Sequence, residues 1–174
     1  CHFKVAIFTN ISEDHFDFHK NYKDYFESKA KLFELLKKSK LRNRFGIINI
    51  DDKWGKLLYK RFKNKIKLFT YGINEKEDFS AHNISLSLSG TTFDIKYKTR
   101  TFPIQTSLIG RFNIYNILAA FATSFLLKVP VKTIIDSIKR FRPPAGRMEI
   151  IKSRGICIGI DYAHTDDALK NVLS

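Results

Sequence analysis

Four side chains able to bind a metal or move a proton fall within six residues: Asp14, His15, Asp17 and His19. Zinc draws ligands from several elements and closes a tetrahedron, and no cysteine joins this group. Mg2+ keeps few protein ligands and takes the rest from water and phosphates. A polar loop with a capping aspartate uses the same residues, and spacing alone does not choose between loop and metal site. The next chemical candidate is Lys29. From Tyr22 onward, Tyr25, Phe26, Leu32, Phe33, Leu35 and Leu36 recur at helical spacing, and Lys29 falls in the middle of that apolar stripe. A lysine so placed either snorkels to water or loses its charge. A neutral amine can capture carbon dioxide, and the carbamate is a hard oxygen ligand suited to Mg2+. Periodicity by itself favours a snorkelling lysine at a groove edge.

Three further groups stand out. Asn113 and Asn116 lie one turn apart at a helix start, behind Gly110. An Asn amide can read an adenine edge through two hydrogen bonds, or Asn113 can cap the helix and leave Asn116 merely polar. Asp161 follows a strand, where a carboxylate can hold ribose hydroxyls; a plain strand-to-helix loop fits equally. Arg147 follows a proline-rich break and can clamp a phosphate or sit as a surface charge. None of the eight glycines builds a phosphate-cradling loop of the G-x-x-x-x-G-K-[ST] or G-x-G-x-x-G kind.

The elements that must position these residues follow a β-α-β-α-β rhythm. Strands are predicted at 4–8, 45–50 and 66–71, with helices at 21–38 and 53–62 between them. This argues for a parallel sheet flanked by helices. Shorter alternating strands at 84–88, 93–97 and 101–108 suggest a small antiparallel meander on the same sheet. Helices return at 113–128 and 131–140. Pro143, Pro144 and Gly146 make a rigid break, the best boundary between domains at 1–145 and 146–174. Strands at 147–152 and 156–160 follow, then a helix capped at Thr165 to Asp167. The fold class is therefore α/β. The single methionine is Met148, and a strand already begins at Lys4, so a piece of a longer protein is expected.

Composition narrows the partners. The formal charge is +14, which admits nucleic acid, phosphate-rich ligands or an anionic surface. No block of five basic residues occurs, and the expectation is a lysine excess spread over the surface, with anionic nucleotides contributing. A basic nucleic-acid-binding module would interleave exposed aromatics with its cations, whereas here most aromatics fall on apolar stripes. The two cysteines, Cys1 and Cys157, form no metal or redox motif, which fits a reduced cytosolic setting. No run of about eighteen apolar residues indicates a membrane span, and no signal peptide is read.

Taken together, the motifs resemble the Mur ligase family of peptidoglycan synthesis, and within it the branch that adds the third residue of the stem peptide. The resemblance is carried by Thr9, Asn10, Ser12, Asp14, His15, Asp17 and His19, then Tyr25, Phe26, Lys29, Leu32 and Phe33. It continues through Ile48, Asn49, Asp51 and Asp52, then Gly110, Phe112, Asn113, Asn116, Ala119 and Ala120. Gly146 to Glu149 and Asp161 to Thr165 complete it.

The resemblance implies ATP-dependent ligation of a diamino acid to UDP-N-acetylmuramoyl-L-alanyl-D-glutamate through an acyl phosphate. It implies Mg2+ held by His15 and by Lys29 as a carbamate. Adenine would be held by Asn116 and Asn113, phosphates by Arg147, and ribose by Asp161 with His164 nearby. A cytoplasmic monomer is expected, with neither nucleic acid nor membrane as partner, and the diamino acid is left open among diaminopimelate, lysine and ornithine. On this reading the chain holds an incomplete central ATP-binding domain and the start of a carboxyl-terminal domain, and is inactive alone. One departure is Asp166, where the family's motif has proline. A folylpolyglutamate-type ligase is the rival within the superfamily.

Overall fold

The computed structural model describes residues 1–12, 21–73, 76–154 and 156–173. Three strands, β1 (Val5–Phe8), β2 (Phe45–Asn49) and β3 (Leu68–Gly72), pair in parallel in that order. The central strand is buried throughout, as a strand covered on both faces must be. Ile48 faces the layer formed by α1 (Tyr22–Lys38) and α2 (Lys53–Phe62). Ile47 faces α3 (Arg111–Leu126), and α4 (Val131–Arg140) packs beside α3 on the same face of the sheet. Two cores result, one on each side of the sheet.

Local chemistry sets the helix limits. Asn21 caps α1, its Oδ1 accepting from Asp24 N at 3.0 Å. Asp24 in the first turn and Lys37 and Lys38 in the last complement the helix dipole. Asp52 caps α2, one carboxylate oxygen accepting from both Trp54 N and Gly55 N at 2.9 Å. Gly110 starts α3 with φ +86, so the helix begins at Arg111 and Asn113 is not its N-cap. Of the alanine pair in α3, Ala119 is buried and Ala120 exposed.

The meander begins earlier than its alternation suggested. β4 (Phe79–Ser87) starts with three buried residues and pairs in parallel with β3 through Tyr71↔Phe79. Only its outer half alternates, beyond an irregularity between His82 and Ser85. β5 (Gly90–Tyr97) and β6 (Arg100–Thr106) complete the six-stranded sheet in antiparallel pairing. A separate two-stranded sheet, β7 (Glu149–Ser153) and β8 (Ile156–Ile160), precedes α5 (Asp166–Leu173). Thr165 Oγ1 accepts from Ala168 N at 3.2 Å at the start of that helix.

The positive charge is not evenly spread, contrary to the expectation from sequence. Residues 35–50 and 53–74 contain no aspartate or glutamate. The loops at 39–44 and 63–67, where β2 and β3 begin, carry Lys40, Arg42, Arg44, Lys63, Lys65 and Lys67. The carboxylates of Asp51, Asp52 and Glu77 lie where strands end.

Candidate functional site

A cleft of about 1290 Å³ opens at the carboxyl ends of β1 and β2. Its floor is Thr9 to Ser12 and Asn49 to Asp52, one wall is the first turns of α3, and the other is the 143–172 segment. Ligands of open α/β sheets bind at this end of the strands. Asn113, Asn116, Arg147, Asp161 and His164, picked out separately in the sequence, all line this one cleft.

Asn113 is held from both sides. Its Nδ2 donates to Ile109 O at 2.8 Å, and its Oδ1 accepts from Asn116 Nδ2 at 3.2 Å. That second bond fixes the amide of Asn116, which is exposed to the cleft with its Oδ1 as the remaining acceptor.

Opposite α3, the chain turns sharply after Pro144, with positive φ at Gly146 and Met148. Arg147 N donates to Pro144 O at 3.1 Å. Gly146 N donates to Glu149 Oε2 at 3.2 Å, and Met148 N to Asp161 Oδ2 at 2.8 Å. Asp161 thus ties the turn before β7 to the end of β8. The Arg147 guanidinium carbon lies 5.1 Å from the Tyr162 ring centroid, within cation–π reach. The Tyr162 ring meets the His164 ring edge-on at 4.9 Å, and His164 Nδ1 lies 2.8 Å from Tyr162 O.

The floor of the cleft holds a linked group whose role the sequence alone does not show. Asp51 Oδ2 accepts from Ile73 N at 2.7 Å and from Tyr115 Oη at 3.0 Å. Asn49 Oδ1 accepts from Asp51 N at 3.0 Å. Burial, then the Asp51 charge, pushes the Tyr115 phenol up to about 12. Burial likewise raises Tyr71, with the Asp52 charge adding to it. Burial raises the carboxyl of Asp52 against the backbone hydrogen bonds of Gly55, Trp54 and Ile11 that favour its charge. Glu77 is raised by burial and then by Asp51. The available signal was an Asp-Asp pair directly after a mostly apolar strand.

The metal residues fare differently. Asp14, His15, Asp17 and His19 lie outside the described residues. Lys29 is exposed, not buried in the apolar stripe. The buried line of α1 is Phe26, Ala30, Phe33 and Leu36, one step round the helix. The Lys29 ammonium stands 5.1 Å from the Tyr25 ring centroid, and Lys29 does not line the cleft. Among the described residues, no group of three His, Cys, Asp or Glu side chains could hold a metal ion.

Comparison with known proteins decides the family. Residues 1–124 match the model of the Mur ligase middle domain. The chain belongs to the Mur ligase family. It is 39% identical to the UDP-N-acetylmuramoyl-L-alanyl-D-glutamate–2,6-diaminopimelate ligase of Clostridium botulinum, over 99% of this chain and 34% of that one. It is 36% identical to the UDP-N-acetylmuramoyl-L-alanyl-D-glutamate–L-lysine ligase of Staphylococcus aureus, over 98% of this chain and 34% of the relative. A solved UDP-N-acetylmuramoyl-L-alanyl-D-glutamate–2,6-diaminopimelate ligase superposes with a TM-score of 0.81 at 30% identity, covering 99% of this chain and 35% of its own. The chain thus spans about a third of the length of the curated relatives it matches. Among the described residues of this Mur ligase segment, no helix is long and apolar enough to cross a membrane.

Proposed function

We propose that this chain is the middle part of an ATP-dependent Mur ligase acting in peptidoglycan synthesis. It would add a diamino acid to UDP-N-acetylmuramoyl-L-alanyl-D-glutamate in the cytoplasm, working as a monomer. Residues 1–145 would be the central domain and 146–174 the start of the next. The observation that carries the reading is the one cleft that gathers Asn113 and Asn116 from α3 with Arg147, Asp161 and His164 from the segments flanking β7 and β8, in a chain whose relatives are ligases of this substrate. The two relatives differ in the amino acid they add, so the proposal stops at a diamino acid.

In the proposed reaction the substrate carboxylate takes the γ-phosphoryl group of ATP, releasing ADP. The amine of the diamino acid attacks the acyl phosphate, and the tetrahedral adduct loses phosphate to leave an amide. Such transfers depend on positioning and on stabilising the transferred charge. Asn116 Oδ1 is set to accept from the adenine amino group, with Asn113 orienting it. Arg147 would meet the phosphates, its guanidinium backed by the Tyr162 ring. Asp161, anchored to Met148 N through one oxygen, would offer its carboxylate to the ribose, beside His164.

Mg2+ bound with ATP would neutralise phosphate charge. The described residues do not assemble its ligand set, so no step here is derived through it. The assignment of His15 and a carbamate on Lys29 rests on the family resemblance. It is tested by the intact mass of the native enzyme, which should carry one added carbon dioxide that Lys29→Ala lacks.

The test of the function is ADP release by the full-length enzyme given ATP, UDP-N-acetylmuramoyl-L-alanyl-D-glutamate and each diamino acid in turn. The expected result is release dependent on both co-substrates and an amide-linked product. Turnover of a folylpolyglutamate substrate instead, or none with any diamino acid, overturns the proposal.

A further inference from the structure

The end of the sheet opposite the cleft is strongly basic, and nothing in the proposed ligation uses it. The chain direction places three segments there: residues 1–4 before β1, residues 39–44 before β2, and residues 63–67 before β3. Hydrogen bonds knit them together. Phe45 N donates to Lys4 O at 3.1 Å, Gly46 N to Lys67 O at 2.9 Å, and Lys40 N to His2 Nδ1 at 3.3 Å. Lys4 Nζ donates to Arg42 O, and Arg44 Nη2 donates to Lys37 O at 3.2 Å.

Lys37, Lys38, Lys40, Arg42 and Arg44 therefore gather at one end, with Lys63, Lys65 and Lys67 from the neighbouring loop. All but the half-buried Arg44 are exposed. No acidic residue occurs in either segment. Arg61, in the last turn of α2, is paired with Glu27 and Glu34 of α1, so its charge is already matched at the flank of this field.

The exposed apolar residues within this basic field are aliphatic. Leu41, flanked by Lys40 and Arg42, is 40% exposed, and Leu35 on α1 is 45% exposed. The neighbouring aromatic rings of Phe45 and Phe62 are buried, and those of Phe3 and Phe69 are half-buried, Phe69 with the Lys67 ammonium 5.4 Å from its ring centroid, so no ring here is exposed as the stacking platform that single-stranded nucleic acid requires. A cluster of cations around an exposed leucine matches the interfacial zone of an anionic bilayer, where lipid phosphates meet the first methylene groups.

We propose that this basic end is a peripheral docking surface for an anionic phospholipid bilayer. The cleft, at the other end of the strands, then faces away from the lipid and stays open to substrate. This revises the expectation from sequence that no membrane is a partner: the chain has no membrane-spanning helix among its described residues, but a surface that can lie on a bilayer is a different property. The attraction is electrostatic in the main, so it falls with ionic strength.

The test is co-sedimentation of the full-length enzyme with vesicles of phosphatidylglycerol and phosphatidylcholine, against vesicles of phosphatidylcholine alone. The expected result is binding to the anionic vesicles only, weakened at least tenfold by raising the salt from low to several times physiological. Replacing Lys37, Lys38, Lys40 and Arg42 together by glutamine should weaken it at least tenfold. The same positions as Arg, Arg, Arg and Lys should restore it, and ligase turnover in solution should stay unchanged in both variants. A thermal melt and a turnover assay show whether each variant is folded. If the glutamine variant fails to fold, Leu41→Ser, expected to weaken vesicle binding several-fold, serves in its place. No binding to anionic vesicles overturns the proposal. So does undiminished binding by the folded glutamine variant or by the Leu41→Ser variant used in its place, or binding to an RNA oligonucleotide in place of vesicles.

Discussion

Tyr115 Oη donates a 3.0 Å hydrogen bond to Asp51 Oδ2, joining the helix that carries Asn113 and Asn116 to the end of the central strand. The same oxygen accepts from Ile73 N at 2.7 Å, so one carboxylate fastens α3, β2 and the loop after β3. A phenol bonded to a charged carboxylate is worth about 1.5–3 kcal/mol. Tyr115→Phe is expected to lower unfolding stability by about that amount, measured by urea denaturation. Since Tyr115 is raised from 10.0 to about 12, its folded form keeps its proton after the unfolded form has lost it. Stability from this group is therefore intact below pH 10 and falls between pH 10 and about 12. Tyr115→Phe should remove that part of the decline.

Asp52 is held between opposing effects. Its two backbone bonds cap α2, while burial, the larger influence, raises its carboxyl above 3.8. A raised acid is protonated more readily when folded than when unfolded, so it erodes stability as pH rises through that range. Asn accepts the same capping bonds without a charge. Asp52→Asn is expected to flatten the pH dependence above 3.8 and to leave neutral-pH stability equal or higher. Asp52→Ala should cost about 1 kcal/mol through the lost cap. Chemical denaturation of both variants across acidic and neutral pH checks this.

Gly55 in α2 is set by contact rather than by conformation. A Cβ there would meet Asn49 O at 1.8 Å, because the helix backbone lies directly on the end of β2. Glycine to alanine inside a helix ordinarily gains about 1 kcal/mol. Here Gly55→Ala is expected to destabilise, by more than that gain, since backbone must shift beneath the floor of the cleft. A thermal melt showing a higher Tm for Gly55→Ala would sink this argument.

Much of the fold was legible because 45–49 is a short, nearly continuous apolar run, while 53–62 and 131–140 carry helical periodicity, the first of them behind its own Asp52 cap. The early start of β4 was not, because Phe79 to Ala81 is covered on both sides and so does not alternate. Lys29 was misplaced for a related reason: Ala30, a weak hydrophobic signal, belongs to the buried line of α1, while Leu35 at 45% exposed does not. The cleft residues could be picked out from 113–116 and 147–164, but their meeting could not, since it depends on the turn after Pro144. Asp51 was visible as a carboxylate after a strand. Its bond to Tyr115, sixty-four residues later, is a product of tertiary packing.

Asn113 is expected to act on nucleotide binding through its neighbour. It holds Asn116 by the 3.2 Å bond to its own Oδ1 while its Nδ2 is anchored on Ile109 O. Asn113→Ala frees the Asn116 amide to rotate, and a misdirected amide presents a donor where adenine also donates. The loss of one such hydrogen bond, about 1 kcal/mol, corresponds to a rise of several-fold in the KM for ATP with kcat nearly unchanged. Asn113→Asp separates orientation from folding. Its carboxylate still accepts from Asn116 Nδ2 but cannot donate to Ile109 O, and it places two acceptors against each other. It should therefore keep the ATP KM closer to the native value while lowering the Tm more than Asn113→Ala does. Steady-state kinetics of the full-length enzyme beside thermal melts distinguish the two; a KM for ATP unchanged in Asn113→Ala would remove Asn113 from the nucleotide site.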